Sequence, residues 1–103
     1  MTKKDLDRAD VKFLRSLAHE LKPVVRLGQH GLTEAVTREL DIALSRHELV
    51  KVKLAADSRE ARAAQLEALA ASCGGTVVQS IGHTGTLYRA NPEQPRIDLK
   101  GHR

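Results

Sequence analysis

The chain has 103 residues with 17 Lys+Arg against 13 Asp+Glu, a formal charge of +4 at pH 7, which leaves room for one core and a surface that favours polyanionic partners. Its single cysteine excludes an intrachain disulfide framework and a cysteine-based zinc site, and suits a reducing compartment. With Phe13 and Tyr88 as its only aromatic side chains, it cannot bind RNA by stacking several bases on exposed rings, so contacts to the nucleic-acid backbone are the expected mode.

In chain order, Thr2 is placed to cap a first helix with Asp5 in its first turn. Leu6, Phe13, Leu14, Leu17 and Leu21 follow at helical spacing, with Lys4, Arg8, Lys12 and Arg15 opposite. Pro23 keeps Lys22 extended and stops that helix, so residues 24–27, three of them apolar, read as a short buried strand. Gly28-Gln29-His30-Gly31 comes next. Thr33 then caps a second helix running to about His47, with Val36, Leu40, Ala43 and Leu44 on its inner stripe. Residues 49–54 alternate, Val50, Val52 and Leu54 on one face and Lys51 and Lys53 on the other, as a half-buried strand does.

Asp57-Ser58-Arg59-Glu60 has capping-box spacing, and the alanine-rich third helix behind it buries Leu66, Leu69, Ala70 and Cys73 before Gly74-Gly75 ends it. Cys73 on that stripe reads as core. Residues 76–81 and 86–89 are β-rich runs around Gly82-His83-Thr84-Gly85, a hairpin with a four-residue loop. Pro92, Pro95 and polar neighbours make residues 91–103 an extended or disordered tail behind a domain of residues 1–90. The order helix, strand, helix, strand, helix, strand, strand predicts a single-domain, two-layer α/β sandwich with a mixed four-stranded sheet and right-handed crossovers.

Two glycines between a strand and a helix have an ordinary explanation, because glycine takes positive φ in a tight turn at no steric cost. They also let a nucleic-acid backbone approach closely, with the amides that open the next helix facing the phosphates, as GxxG loops do in KH modules. The tetrapeptide alone is a weak signal. Its setting strengthens it: Lys22 and Arg26 precede it, Gln29 and His30 fill its tip without a carboxylate, and Arg38 lies further along the following helix.

The stretches "LKPVVRLGQHGLTEAV", "ALSRHELVKVKLAADSREARA" and "VVQSIGHTGTLYRANPE" resemble the bacterial YhbY-type proteins, the stand-alone form of the CRM domain of chloroplast RNA splicing and ribosome maturation. The resemblance spans roughly residues 14–92. It implies a fold similar to the C-terminal domain of translation initiation factor three, an RNA-binding surface that includes the GxxG loop, and no catalysis. Bacterial members are associated with precursors of the large ribosomal subunit, and plant relatives build group II intron splicing factors from copies of the domain. Gly28 and Gly31 match the family's loop glycines, Gln29 and His30 its variable tip, and Lys51 and Lys53 the basic positions of "ELVKVK". One departure is visible: His83-Thr84-Gly85-Thr86 stands where members often carry a bulky aliphatic run before "LYR", so the last strand is expected to start late or pack loosely.

His19, His30, His47, His83 and His102 include no pair at i and i+4, so neither a metal nor a cofactor is expected. A nucleophile and base built from Thr33 with His30 or His47 lacks a third orienting group. No signal-peptide core or apolar run approaching the roughly 20 residues of a membrane span occurs, and the expectation is a cytoplasmic monomer with no membrane partner. The leading reading is an RNA-binding protein of large-subunit assembly that contacts ribosomal RNA through Lys22, Arg26, Gly28, Gln29, His30, Gly31, Arg38, Lys51 and Lys53. The alternative is a basic adaptor that docks on ribosomal or assembly proteins and binds RNA incidentally. Tyr88 fits either the core or the RNA-facing surface.

Overall fold

A computed structural model describes residues 6–28 and 31–99 and runs α1 (Arg8–Ala18), β1 (Pro23–Arg26), α2 (Glu34–His47), β2 (Leu49–Lys53), α3 (Arg59–Cys73), β3 (Thr76–Ile81) and β4 (Thr84–Tyr88). α1 starts later than its periodicity suggests, because Asp7 and Asp10 cap it reciprocally. The Asp7 carboxylate accepts from the Asp10 amide at 2.8 Å and the Asp10 carboxylate from the Asp7 amide at 3.2 Å. Thr2 and Asp5 lie outside the described residues. α1 also ends at Ala18, short of Leu21, as the amides of Glu20 and Leu21 turn back to the carbonyls of Leu17 and Ala18 and tighten the chain ahead of Pro23. Thr33 caps α2 by accepting from the Val36 amide. Ser58, not Asp57, caps α3, and Gly74 closes it at φ 66°.

The sheet is four-stranded and mixed, in the order β1-β2-β4-β3, with β1 parallel to β2 and β4 antiparallel to both its neighbours. β1 is therefore an edge strand rather than a buried one: Val25 is 1% exposed but Val24 is 54% exposed. On one face, α2 and α3 bury Leu40, Leu44, Leu66 and Leu69 against Val50, Val52 and Leu87. On the other, α1 lays Leu14 and Ala18 over Leu49, Val78 and Tyr88. The fold thus has three layers where two were expected, and β2 shows why: Leu49 and Val50 are consecutive, point to opposite faces, and are both buried.

The last hairpin is longer than expected. Ile81 pairs with Thr84 and Ser80 with Gly85, leaving a two-residue turn with Gly82 at φ 56°. β4 starts at Thr84, and Gly85 packs tightly because it has no side chain: a Cβ there would come within 2.5 Å of Leu66 Cδ1, so α3 rests directly on the strand backbone. Gly85→Ala is expected to lower stability by about 1–3 kcal/mol through overpacking. A urea titration with an unshifted midpoint would instead show that Leu66 repacks freely.

Beyond β4, residues 91–99 form no helix or strand, yet they fold back over the α1 layer, where Leu99 is buried and Ile97 packs beside it. Their anchor is Glu48, which caps α2 at a left-handed φ of 62° and is 2% exposed. Its carboxylate accepts the backbone amides of Asn91 and Arg96 at 2.6 Å and of Ile97 at 2.8 Å. Just before this segment, the Arg89 guanidinium ties the helical layer to β4, donating to the Asp41 carboxylate at 2.6 Å, the Ser45 hydroxyl at 2.8 Å and the Cys73 carbonyl at 2.9 Å.

Tyr88 belongs to the core of the α1 layer, at 2% exposure. Burial first, then the nearby Glu48 and Asp10 carboxylates, push its phenol up from 10 to about 12. The folded state favours the neutral phenol, so this contribution to stability is complete below pH 10. It is lost as pH rises towards 12, because the unfolded chain releases the proton first. With one tyrosine and no tryptophan in the chain, phenolate absorbance reports this residue alone. A native titration midpoint near 10 would contradict its burial.

Candidate nucleic-acid interface

Three connections meet at one end of the sheet. Past β1, the Leu27 amide donates to the Lys53 carbonyl at 3.0 Å, and the Gly31 amide then donates to the Gly28 carbonyl at 3.0 Å, closing the glycine turn. Gln29 and His30 lie outside the described residues. The two glycines differ in kind. Gly31 sits at φ 66°, and a Cβ on it would stand 3.2 Å from Gln65 Nε2, so the fold itself requires glycine there. Gly28 is outside the positive-φ set, and a Cβ on it would meet nothing within 4 Å among the described residues.

Gln65 and Arg62, neither of them singled out by the sequence, hold the other two connections. Gln65 Oε1 accepts the amides of Ala55 and Ala56 at 3.2 and 3.1 Å. Arg62 Nη1 donates to the carbonyls of Ala56 and Asp57 at 3.2 and 2.9 Å and lies 3.3 Å from His83 Nε2 in the hairpin turn. Their i, i+3 spacing on the alanine-rich α3 is the one trace the sequence offers.

From this end, two registered rows cross the half of the sheet that α1 leaves open. One runs Arg26, Lys53, Thr84, Ile81, and the next Pro23, Lys51, Thr86, Gln79. With strands about 4.8 Å apart, Arg26 and Lys53 stand side by side, and Lys51 follows two residues along. Neither row holds a carboxylate. Among the described residues, the side chains of Lys22, Arg26, Lys51 and Lys53 make no hydrogen bond or ion pair, whereas Arg15, Arg62 and Arg89 are each held internally.

The structure does not bring every expected residue together. Arg38 is exposed on α2, across the sheet from the lysines, and shares a shallow depression with Glu34 and Asp41. The first turn of α2 already carries Glu34, which offsets the positive end of that helix dipole. A groove of about 520 Å³ between the end of α1, the β1 edge and the chain's return is lined largely by Leu17, Leu21, Val24, Leu49 and Ile97. Among the described residues, no three His, Cys, Asp or Glu side chains group as metal ligands would, and no helix is long and apolar enough to cross a membrane.

Residues 6–89 match the CRS1/YhbY (CRM) domain. An RNA-binding protein of Haemophilus influenzae is 46% identical over 88 residues, which cover 85% of this chain and 88% of that protein. A protein of Pseudomonas aeruginosa named a probable RNA-binding protein is likewise 46% identical over 88 residues, 85% of each chain. The solution structure of a hypothetical Staphylococcus aureus protein, described as a candidate RNA binder, superposes with a TM-score of 0.81 at 29% identity, over 92% of this chain and 99% of that one.

Proposed function

The chain belongs to the CRS1/YhbY (CRM) domain family, and from that premise we propose that it binds RNA, namely ribosomal RNA of a large-subunit precursor, and catalyses no reaction. Phosphates run along the Gly28–Gly31 turn and across Arg26, Lys53 and Lys51, with Lys22 at the margin and Gln29 and His30 contributing from between the glycines. The observation that carries this reading is a block of cations with no partner among the described residues, in registered rows without a carboxylate, beside a turn whose first glycine meets no demand of the fold among those residues.

Gly28→Ala separates a binding glycine from a folding one. Its thermal midpoint is expected to match or slightly exceed that of the wild type, because alanine fits the native backbone and restricts the unfolded chain. Its affinity for fragments of large-subunit ribosomal RNA is expected to fall about tenfold. Gly31→Ala lowers the thermal midpoint as well. Gln29→Asp/His30→Asp, which places two carboxylates between the glycines, abolishes binding without changing the melt. Wild-type affinity in both Gly28→Ala and the double aspartate would reduce the turn to a connection.

The apolar groove beside β1 favours a second reading, the adaptor that docks on ribosomal or assembly proteins. Tight binding of the purified chain to protein-free large-subunit ribosomal RNA in preference to an unrelated RNA of equal length decides between them, since the adaptor binds RNA only incidentally and requires a protein surface for affinity.

A further inference from the structure

Where the end of α1 meets the open half of the sheet there is a smaller hollow of about 210 Å³, walled by His19, Lys51, Gln79, Ile81, Thr84 and Thr86. Among the described residues, none of its polar side chains makes a hydrogen bond within the protein. Thr86 is 2% exposed, while Ile81, at 66%, is the most exposed large hydrophobic residue among those described. A β-bulge sets this arrangement. Between Val77 and Gln79 the ladder slips by one residue, so that Val78 fills the core beneath α1 and Gln79 turns onto the same face, into the hollow.

The chemistry of the hollow differs from that of the cation block beside it. A phosphate needs donors only. Here two hydroxyls and an amide both donate and accept, next to an apolar platform and an imidazole, which suits a flat heteroaromatic ring with a mixed hydrogen-bonding edge. We infer, resting on the RNA-binding reading above, that the hollow takes one unpaired nucleobase of the bound RNA. The ring lies against Ile81 and His19, its edge meets Gln79, Thr84 and Thr86, and the flanking phosphates fall on Lys51 and Lys53. A protein with two aromatic side chains thereby reads one extruded base rather than a stacked run.

The test uses an RNA hairpin with one bulged nucleotide, each of the four bases in turn, against the same hairpin with an abasic bulge. For at least one base, wild-type protein is expected to bind the base-bearing hairpin between about fivefold and a hundredfold more tightly than the abasic one. Gln79→Ala/Ile81→Ala, two changes on the outer strand, should bring that ratio below about twofold while leaving the thermal midpoint and the salt dependence as in the wild type. Lys53→Ala should weaken all the hairpins alike. If wild type binds base-bearing and abasic hairpins equally with salt dependence intact, the base site is overturned and the RNA-binding reading stands. The same holds if the double variant discriminates as well as wild type. Absence of salt-sensitive binding to any hairpin overturns both.

Discussion

Glu48→Ala is expected to destabilise the protein by about 3–5 kcal/mol, the largest effect of any single side chain outside the apolar core. Three backbone amides converge on this carboxylate, each leaves an unmet donor when it is removed, and such donors cost roughly 1–3 kcal/mol apiece when buried. Residues 91–99 would lose their attachment, and Leu99 its place in the core. Two companion measurements make the cause specific. Glu48→Gly should cost about 1 kcal/mol less than alanine, because the backbone stands at φ 62°. In a chain ending at Ala90, Glu48→Ala should be close to neutral, since the three amides that the carboxylate meets are absent. Urea unfolding of the five proteins, the shortened parent included, reads both. A wild-type midpoint for Glu48→Ala in the full chain would show that other contacts hold the segment.

Replacing Arg26, Lys51 and Lys53 together by alanine should lower affinity for ribosomal RNA by roughly a hundredfold at 0.1 M salt and reduce the slope of log affinity against log salt by about 2–3. The curves for wild type and variant should converge as salt rises. The folded protein should at the same time gain about a few tenths of a kcal/mol, because Arg26 and Lys53 are cross-strand partners of like charge. Arg38→Ala, across the sheet, should change the slope little. If the triple variant keeps the wild-type slope, the phosphates lie elsewhere and the open sheet face is not the contact surface.

The sequence showed most clearly what is written at short range. The α3 stripe, the alternation of β2 and the Thr33 cap were legible because burial and capping repeat at fixed spacings. The side on which α1 packs was not: an amphipathic helix declares that it has an inner face, not which face of a sheet it covers. The adjacent Leu49 and Val50 held the clue. Glu48 carried no signal in the sequence because its partners lie 43 to 49 residues away. Gly28 and Gly31 look identical as letters, and only the backbone separates the one that bends the chain from the one that leaves space beside it. Thr84-Gly85 appeared as part of a loop because the reason for that glycine, Leu66, sits on another element.

The α1 layer joins residues far apart in the sequence, with Leu14 and Ala18 sharing a core with Leu99. During synthesis, its first half therefore emerges long before its second. At ribosomal rates of about 5–20 residues per second, the interval between Ala18 and Leu99 is roughly 4–16 seconds. In that time the sheet and the α2 and α3 layer can form as far as Tyr88, while α1 docks on a surface that is still unfinished. A late step of folding is then a closure: residues 91–99 reach Glu48 and seal a layer that residues 8–18 began.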